Sequence, residues 1–361
     1  MAVACAQDGG VQRTVVALTA TASGSGLIAA VNDAGADSAP RVFMISPATG
    51  RVVWQLGNLP TVASIAVSPD GSTVAVGFRG VPDSAAGVIL LQAESGKQVG
   101  TLGFDEKLDF APGVTYPRWG DGVTQLAYSP DGALLYGLSN DTLFAWDVVA
   151  KHYLWTRDVP AVIEAPSDLA DPLPYGHATT FALSPDGHQI AAARDALRIA
   201  TAGRVRPLHF IKRDTTVGLA SPARPAFSAD SRILAAGELN AASLHHSPTY
   251  ATELWVRGSL KAQKVEDCGG GIAWTNDPNV FACQNATGAH LRNIHEPAKD
   301  VNAAGPPSDL PIFKAGHSLW VAAYRNTDWK DAGKPLPLTL VELGTGKQMT
   351  VTLPGRARSQ R

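Results

Sequence analysis

The sequence is short of charge, of cysteine and of long apolar runs, and each shortage closes off a class of protein. Charged residues are 17% of the 361 and the formal net charge is −2. Nothing here forms a basic stripe able to neutralise a phosphate backbone, so nucleic acid is excluded as a partner. No stretch approaches the roughly 18 apolar residues that a membrane-crossing helix needs. No long segment repeats its apolar residues at the helical period, so helices are not expected. The chain lacks a Gly-x-Ser-x-Gly elbow, an HExxH pair and a Walker loop. Gly344-Thr345-Gly346-Lys347 lacks the upstream glycine of a phosphate cradle and suits a tight turn. No EF-hand spacing is present either, and neither a metal nor a cofactor is expected.

What the chain does have is turns and short β-branched runs. It is 45% hydrophobic, with 35 glycines and 25 prolines that follow no fixed period. Ile65–Gly77 reads IAVSPDGSTVAVG. Pro69 presets the first turn position, Ser68 and Asp70 bond nearby backbone, and Gly71 takes positive φ. Ile65, Val67, Val74 and Val76 alternate along the flanks, which is a hairpin signal. The unit recurs at Leu126–Gly137, Phe181–Ala193, Pro225–Gly237, Ile272–Cys283 and Ile312–Ala323. A degenerate copy runs from Ala17-Leu18 through a Gly/Ser turn to Ala30, giving seven. Asp70, Asp131 and Asp186 are therefore structural turn residues. Each hairpin is followed by a third strand, a tight turn such as Thr49-Gly50-Arg51 or Ser95-Gly96-Lys97, and a fourth strand. Four antiparallel strands repeated seven times, at spacings of roughly forty to sixty residues, predict an all-β, seven-bladed β-propeller over residues 11–354. Taking the hairpin as strands b and c, the fourth strand becomes strand a of the next blade. The C-terminal strand Gln348–Leu353 is then expected to complete the first blade and close the ring, which removes exposed edges.

Strand direction alternates, so the SPDG turns and the TGK-type turns share one face. The long connections share the other: Gly103–Val123, Asp158–Thr179, Lys212–Arg224, Asn32–Pro40, Arg79–Gly87, Asn240–Thr252 and Asn326–Leu336. Long loops on a rigid scaffold are where binding resides. The candidate partner-binding residues on that face are Asp105, Glu106, Tyr116, Arg118, Trp119, Asp121, Asp168, Asp171, His245, His246 and Trp329. Tyr116, Arg118 and Trp119 are residue types favoured at interaction hot spots. His245-His246 are adjacent, and adjacent histidines seldom ligate one metal.

Three cysteines remain. Cys268 precedes a hairpin and Cys283 ends it, so both a disulfide folded back through Gly269–Gly271 and a pair of buried thiols are open. Ala2-Val3-Ala4-Cys5 looks like the end of a bacterial lipoprotein signal, which would make Cys5 a lipidation site and residues 1–10 a tether. Residues 355–361 form a basic tail. Asn140-Asp141-Thr142 and Asn285-Ala286-Thr287 are sequons.

The chain resembles the WD40-like and bacterial SPDG-type propeller families over nearly its whole length. Tyr175–Ile199 carries Gly176-His177 before the hairpin, Ser184-Pro185-Asp186-Gly187 in its turn and Asp195 before the next strand. Trp146-Asp147 looks like the dipeptide that names the WD40 family. The resemblance implies a structural hydrogen-bond network for His177, Asp186 and Asp195, and a structural place for Trp146. Val42–Trp54 resembles quinoprotein propeller repeats, and Ser129–Tyr136 resembles the YVTN/lactonase-type propellers. The expectation is a monomeric, non-enzymatic binding or scaffolding module for another protein or a peptide, in the periplasm or envelope. The alternatives are a lactonase-like or quinoprotein-like enzyme with its site at the central channel, and a cytoplasmic location.

Overall fold

A computed structural model describes residues 13–33, 40–79, 86–103, 122–139, 142–159, 180–193, 197–202, 211–212, 221–222, 225–240, 249–259, 262–285, 287–306, 310–323 and 334–355. Among them are strands and turns and no helix. The strands form seven antiparallel sheets, each built from consecutive strands. The second sheet shows the pattern, with Val62–Val67, Thr73–Phe78, Ala86–Gln92 and Gln98–Gly103 paired in that order. The first strands of blades 1 to 6 lie against one another in turn, and Phe313–Ala315 of blade 7 meets Arg13–Ala20 of blade 1. The molecule is a ring of seven four-stranded blades, with the first strand of each nearest the axis. In blade 5 that strand is split into Ser221–Pro222 and Ala226–Phe227, both paired with Ile233–Asn240. Pro222 and Pro225 lack the N–H that a continuous ladder uses.

Two expectations are corrected. The SPDG hairpin supplies the first and second strands of a blade, not the second and third. The C-terminal strand Gln348–Leu353 pairs with Leu336–Glu342 in its own blade and adds no strand to blade 1. The reason lies in the third-to-fourth turn. In blade 1, the Gly50 amide donates to the Ser46 carbonyl at 2.8 Å, and a turn this tight returns the chain to the same sheet. Four consecutive strands therefore complete each blade, and none is left to exchange. The ring closes by packing, with Val15, Leu18 and Phe43 of blade 1 against Phe313, Leu338 and Val351 of blade 7.

The core is a set of clusters between blades, one at each of the seven seams. In blade 2, Val74 and Val76 face Ile28, Ala30 and Val42 of blade 1. Ala75 between them faces Leu126, Leu135 and Trp146 of blade 3. Both faces of the strand are buried from Val74 to Phe78, which is why that run carries no polar side chain rather than alternating with polar residues. Side-chain amides also clasp neighbouring blades. Asn32 donates to the Val62 carbonyl at 2.8 Å and accepts from the Val62 amide at 3.1 Å. Gln125 makes the same double bond to the Phe181 backbone, at 2.6 and 3.0 Å. Each such pair satisfies an inner-strand donor and acceptor that no strand reaches.

Candidate functional site

One rim of the ring carries the first-to-second turns, and there the repeated Ser and Asp bond inward to their own turns. Ser129 donates to Asp131 at 2.6 Å, the Ala133 amide donates to the same carboxylate at 3.0 Å, and the Leu134 amide donates to Ser129 at 2.8 Å. Ser68 with Asp70, Ser184 with Asp186 and Ser228 with Asp230 repeat the arrangement. Adjacent turns also stack. A Cβ at Gly132 would lie 3.5 Å from the Pro69 ring, and one at Gly187 would lie 3.3 Å from Pro130. Both glycines have φ above +70°, where a side chain is strained. Asp70, Asp131 and Asp186 thus lie in turns that pack blade on blade.

These bonds set the acid response. The Ser68 hydroxyl, then the Ser72 amide and hydroxyl, hold the Asp70 carboxyl below its ordinary value of 3.8. For Asp186 and Asp230 burial pushes upward, but bonds from Ser184 and the His188 amide, and from Ser228 and the Arg232 amide, outweigh it. A carboxyl lowered on folding stabilises the fold above its unfolded pKa and loses that contribution as pH falls through its folded pKa. The thermal midpoint is expected to hold level above about pH 5 and to drop progressively below about pH 4. Calorimetry between those limits checks this, and a triple Asp70→Asn, Asp186→Asn, Asp230→Asn variant is expected to show a shallower acid limb.

The opposite rim carries the second-to-third connections and those between blades. The sequence-derived partner residues Asp105, Glu106, Tyr116, Arg118, Trp119, Asp121, Asp168, Asp171, His245, His246 and Trp329 lie outside the described residues, as do His177, Asp195 and Cys5. The ends of the longest connections are described and are firmly held. Gly103, where one chain segment leaves blade 2, accepts a 3.0 Å bond from the Trp146 indole. Where it returns, the Val123 amide donates to the Phe78 carbonyl at 2.8 Å, and the Val123 carbonyl accepts from Ser64 at 2.6 Å. Gly122 has φ +66°, and a side chain there would collide with the Phe78 carbonyl. At the start of the next long connection, Thr142 donates to Asp158 at 2.7 Å. At its far end stands the Gln125 clasp on Phe181.

A polar cluster at the seam of blades 5 and 6 surrounds the cysteine pair that the sequence left open between disulfide and thiols, and its His290, Arg292 and Asp300 are not among the sequence-derived candidates. Cys268 and Cys283 form a disulfide with Cα atoms 5.5 Å apart. Cys283 stands opposite His290 across the sheet. His290 lies 3.3 Å from Asp300 by Nδ1 and 2.9 Å from the Thr287 hydroxyl by Nε2. Arg292 donates to the other oxygen of Asp300. Beyond it the ladder breaks. Asn293 pairs with Glu296 and Arg292 with Asp300, leaving 297–299 unpaired. This bulge opens a cavity of about 310 Å³ lined by Asn293, His295, Glu296, Lys299, Asp300 and Val301. The order Thr287, His290, Asp300 has the spacing of a nucleophile, base and orienter, but the chemistry is closed. The Thr287 hydroxyl lies 2.7 Å from Asn285 Oδ1, and that oxygen also accepts the Thr287 and Gly288 amides. Those two amides are therefore taken and do not serve an oxyanion. The cluster latches the third and fourth strands of blade 6 to the turn at Asn285. It also buries the sequon asparagine, whose Nδ2 donates to the Asp267 carbonyl at 3.0 Å. A signal for it exists in the sequence. His290 and Arg292 sit two apart in a strand whose equivalents in blades 2 and 3, GVILL and TLFAW, are apolar.

No protein-family model matches the chain, and no curated protein matches it. Solved structures do. A chain of hydrazine synthase from Kuenenia stuttgartiensis superposes with a TM-score of 0.58 at 11% identity, covering 99% of this chain and 100% of that one. A chain of a mitotic checkpoint complex gives 0.51 at 15% identity, covering 82% of this chain and 78% of that one. The Cps50 (Swd1) β-propeller domain of Myceliophteria thermophila gives 0.40 at 13% identity, covering 75% and 94%. At these identities the similarity is one of fold alone.

Proposed function

We propose that this protein is a binding module that recognises another protein or a peptide through the face bearing the long connections, with 104–121 as the principal element. The observation that carries the proposal is the double anchoring of that segment, at Gly103 by Trp146 and at Val123 by Phe78 and Ser64. A recognition loop gains affinity when its ends need not be ordered on binding. The second part of the proposal is an oxidising compartment, in keeping with the Cys268–Cys283 bond.

The test is affinity capture with the purified protein and with a variant in which 105–120 is replaced by a short Gly/Ser linker. Gly103 and Gly122 are kept in that variant, so the anchors survive. The expected result is an unchanged thermal midpoint and loss of the partners captured by the parent. Capture of the same partners by both forms would remove the segment from recognition.

A further inference from the structure

The turn ring on the short-connection rim changes character at blade 7. Blades 2 to 6 place an aspartate there, namely Asp70, Asp131, Asp186, Asp230 and Asp277. Blade 7 has Ala315-Gly316-His317-Ser318 in its place, and beside it Lys314 stands exposed on the innermost strand. Lys314 and His317 are joined through Asn276 of blade 6. Lys314 Nζ donates to Asn276 Oδ1, and Asn276 Nδ2 lies 2.6 Å from His317 Nδ1.

The hydrogen-bond roles in this relay follow from chemistry alone. An ammonium has no lone pair, so the Asn276 atom facing Lys314 must be the carbonyl oxygen. Asn276 then turns its NH₂ to His317, whose Nδ1 must accept. The proton of the neutral ring therefore sits on Nε2. What the relay leaves over is mostly donors: two N–H groups of Lys314, the Nε2–H of His317 and the second N–H of Asn276, against one remaining lone pair on Asn276 Oδ1. The nearby carboxylates are engaged elsewhere. Asp277 accepts from the Asn279 amide and side chain at 2.9 and 3.1 Å. Glu342 takes bonds from Ser318 and Thr345. Among the described residues no carboxylate pairs with Lys314, and partial desolvation of its ammonium lowers its pKa.

We infer that Lys314, His317 and Asn276 form a binding site for one small oxyanion, a carboxylate or a phosphate, at the seam of blades 6 and 7. A charged ammonium with two further N–H donors linked to it through one relay complements an oxygen-rich anion. The five aspartates around the rest of the rim repel a polyanion, so the ligand is compact and carries its charge at one end. The site lies on the face opposite the proposed recognition loops and stands or falls separately from them.

Calorimetric titration at low ionic strength tests the site, with inorganic phosphate in one arm and acetate in the other, against chloride as a control. The parent protein is expected to bind at least one of the two saturably, and the stronger arm tells phosphate from carboxylate. Lys314→Gln and His317→Ala are each expected to weaken that binding by about tenfold or more, the loss of a hydrogen bond to a charged group. Both side chains are on the surface, so both variants are expected to keep the parent's thermal midpoint. Acylation of the Lys314 amine, followed by mass spectrometry, gives a second reading. The bound anion is expected to slow labelling at Lys314 and to leave Lys97 and Lys347 unaffected. Absence of saturable binding in both arms, or full binding by Lys314→Gln, would overturn the inference.

Discussion

Replacing both Cys268 and Cys283 with alanine is expected to cost about 3 kcal/mol of stability, the chain-entropy value for a closed loop of this length. The bond spans a sequence separation of 15, and both cysteines are fully buried. Its surroundings are built around it. The chain folds back from Cys268 through glycines, and the Gly269 and Gly270 amides both donate to the Gln284 carbonyl, at 3.2 and 2.7 Å. A Cβ at Gly270 would stand 2.7 Å from the Gln284 side chain, so only glycine lets the connection lie so close. Thr252 of blade 5 donates to the Cys268 carbonyl, and Asn285 of blade 6 donates to that of Asp267. The bond thus ties the chain between blades 5 and 6 to the second strand of blade 6. The single variants Cys268→Ala and Cys283→Ala should each cost nearly as much as the double, because either one removes the whole bond. Urea denaturation of the three variants, and of the parent in dithiothreitol, measures this. Single losses that add up to the double would mean that the side chains act by packing and the bond carries little.

The blades were legible because each repeat spells out its own turn. Ser129-Pro130-Asp131-Gly132 fixes a hairpin from local chemistry, and the alternation of strand direction then sorts every connection onto one rim or the other. Parity is blind to one displacement. Moving every strand name along by one leaves the two faces unchanged, so the hairpin could be misplaced within the blade while the faces were assigned correctly. The point of ring closure was hidden for a related reason. A periodic sequence does not say where the circle opens, and only the pairing of Gln348–Leu353 with Leu336–Glu342 across a tight turn shows that the last strand stays in its own sheet. The cluster at His290, Arg292 and Asp300 escaped because its members come from a strand and a bulge, and no local motif links them. Lys314 and His317 belong to no local motif. Their meaning depends on Asn276, about forty residues earlier and in another blade. The candidate partner residues, from Asp105 to Trp329, lie outside the described residues, and the case for their loops is made from the anchors at the loop ends.

Trp146 is where stability and the proposed recognition meet, and its replacement by alanine is expected to cost about 3–5 kcal/mol, the range for emptying a buried aromatic site. The side chain is fully buried, the largest of those in the core. Its ring packs against Phe144 at 5.8 Å and against Gly137, where a Cβ would approach to 2.8 Å. Its indole N–H reaches the carbonyl of Gly103 in the preceding blade. Trp146→Phe separates these roles, since phenylalanine retains much of the packing and cannot donate. It leaves the Gly103 carbonyl short of a donor, at a cost of about 1–3 kcal/mol. Trp274→Phe is the matched control. Trp274 is also buried, and its indole donates to the Ala226 carbonyl of the preceding blade at 3.0 Å, but at the seam of blades 5 and 6. Both phenylalanine variants are expected to lose similar stability. If the anchored segment 104–121 is the recognition element, Trp146→Phe alone should also weaken partner capture, because it releases the residue from which that segment departs. Equal capture by the two variants would confine the Trp146 bond to holding blades 2 and 3 together.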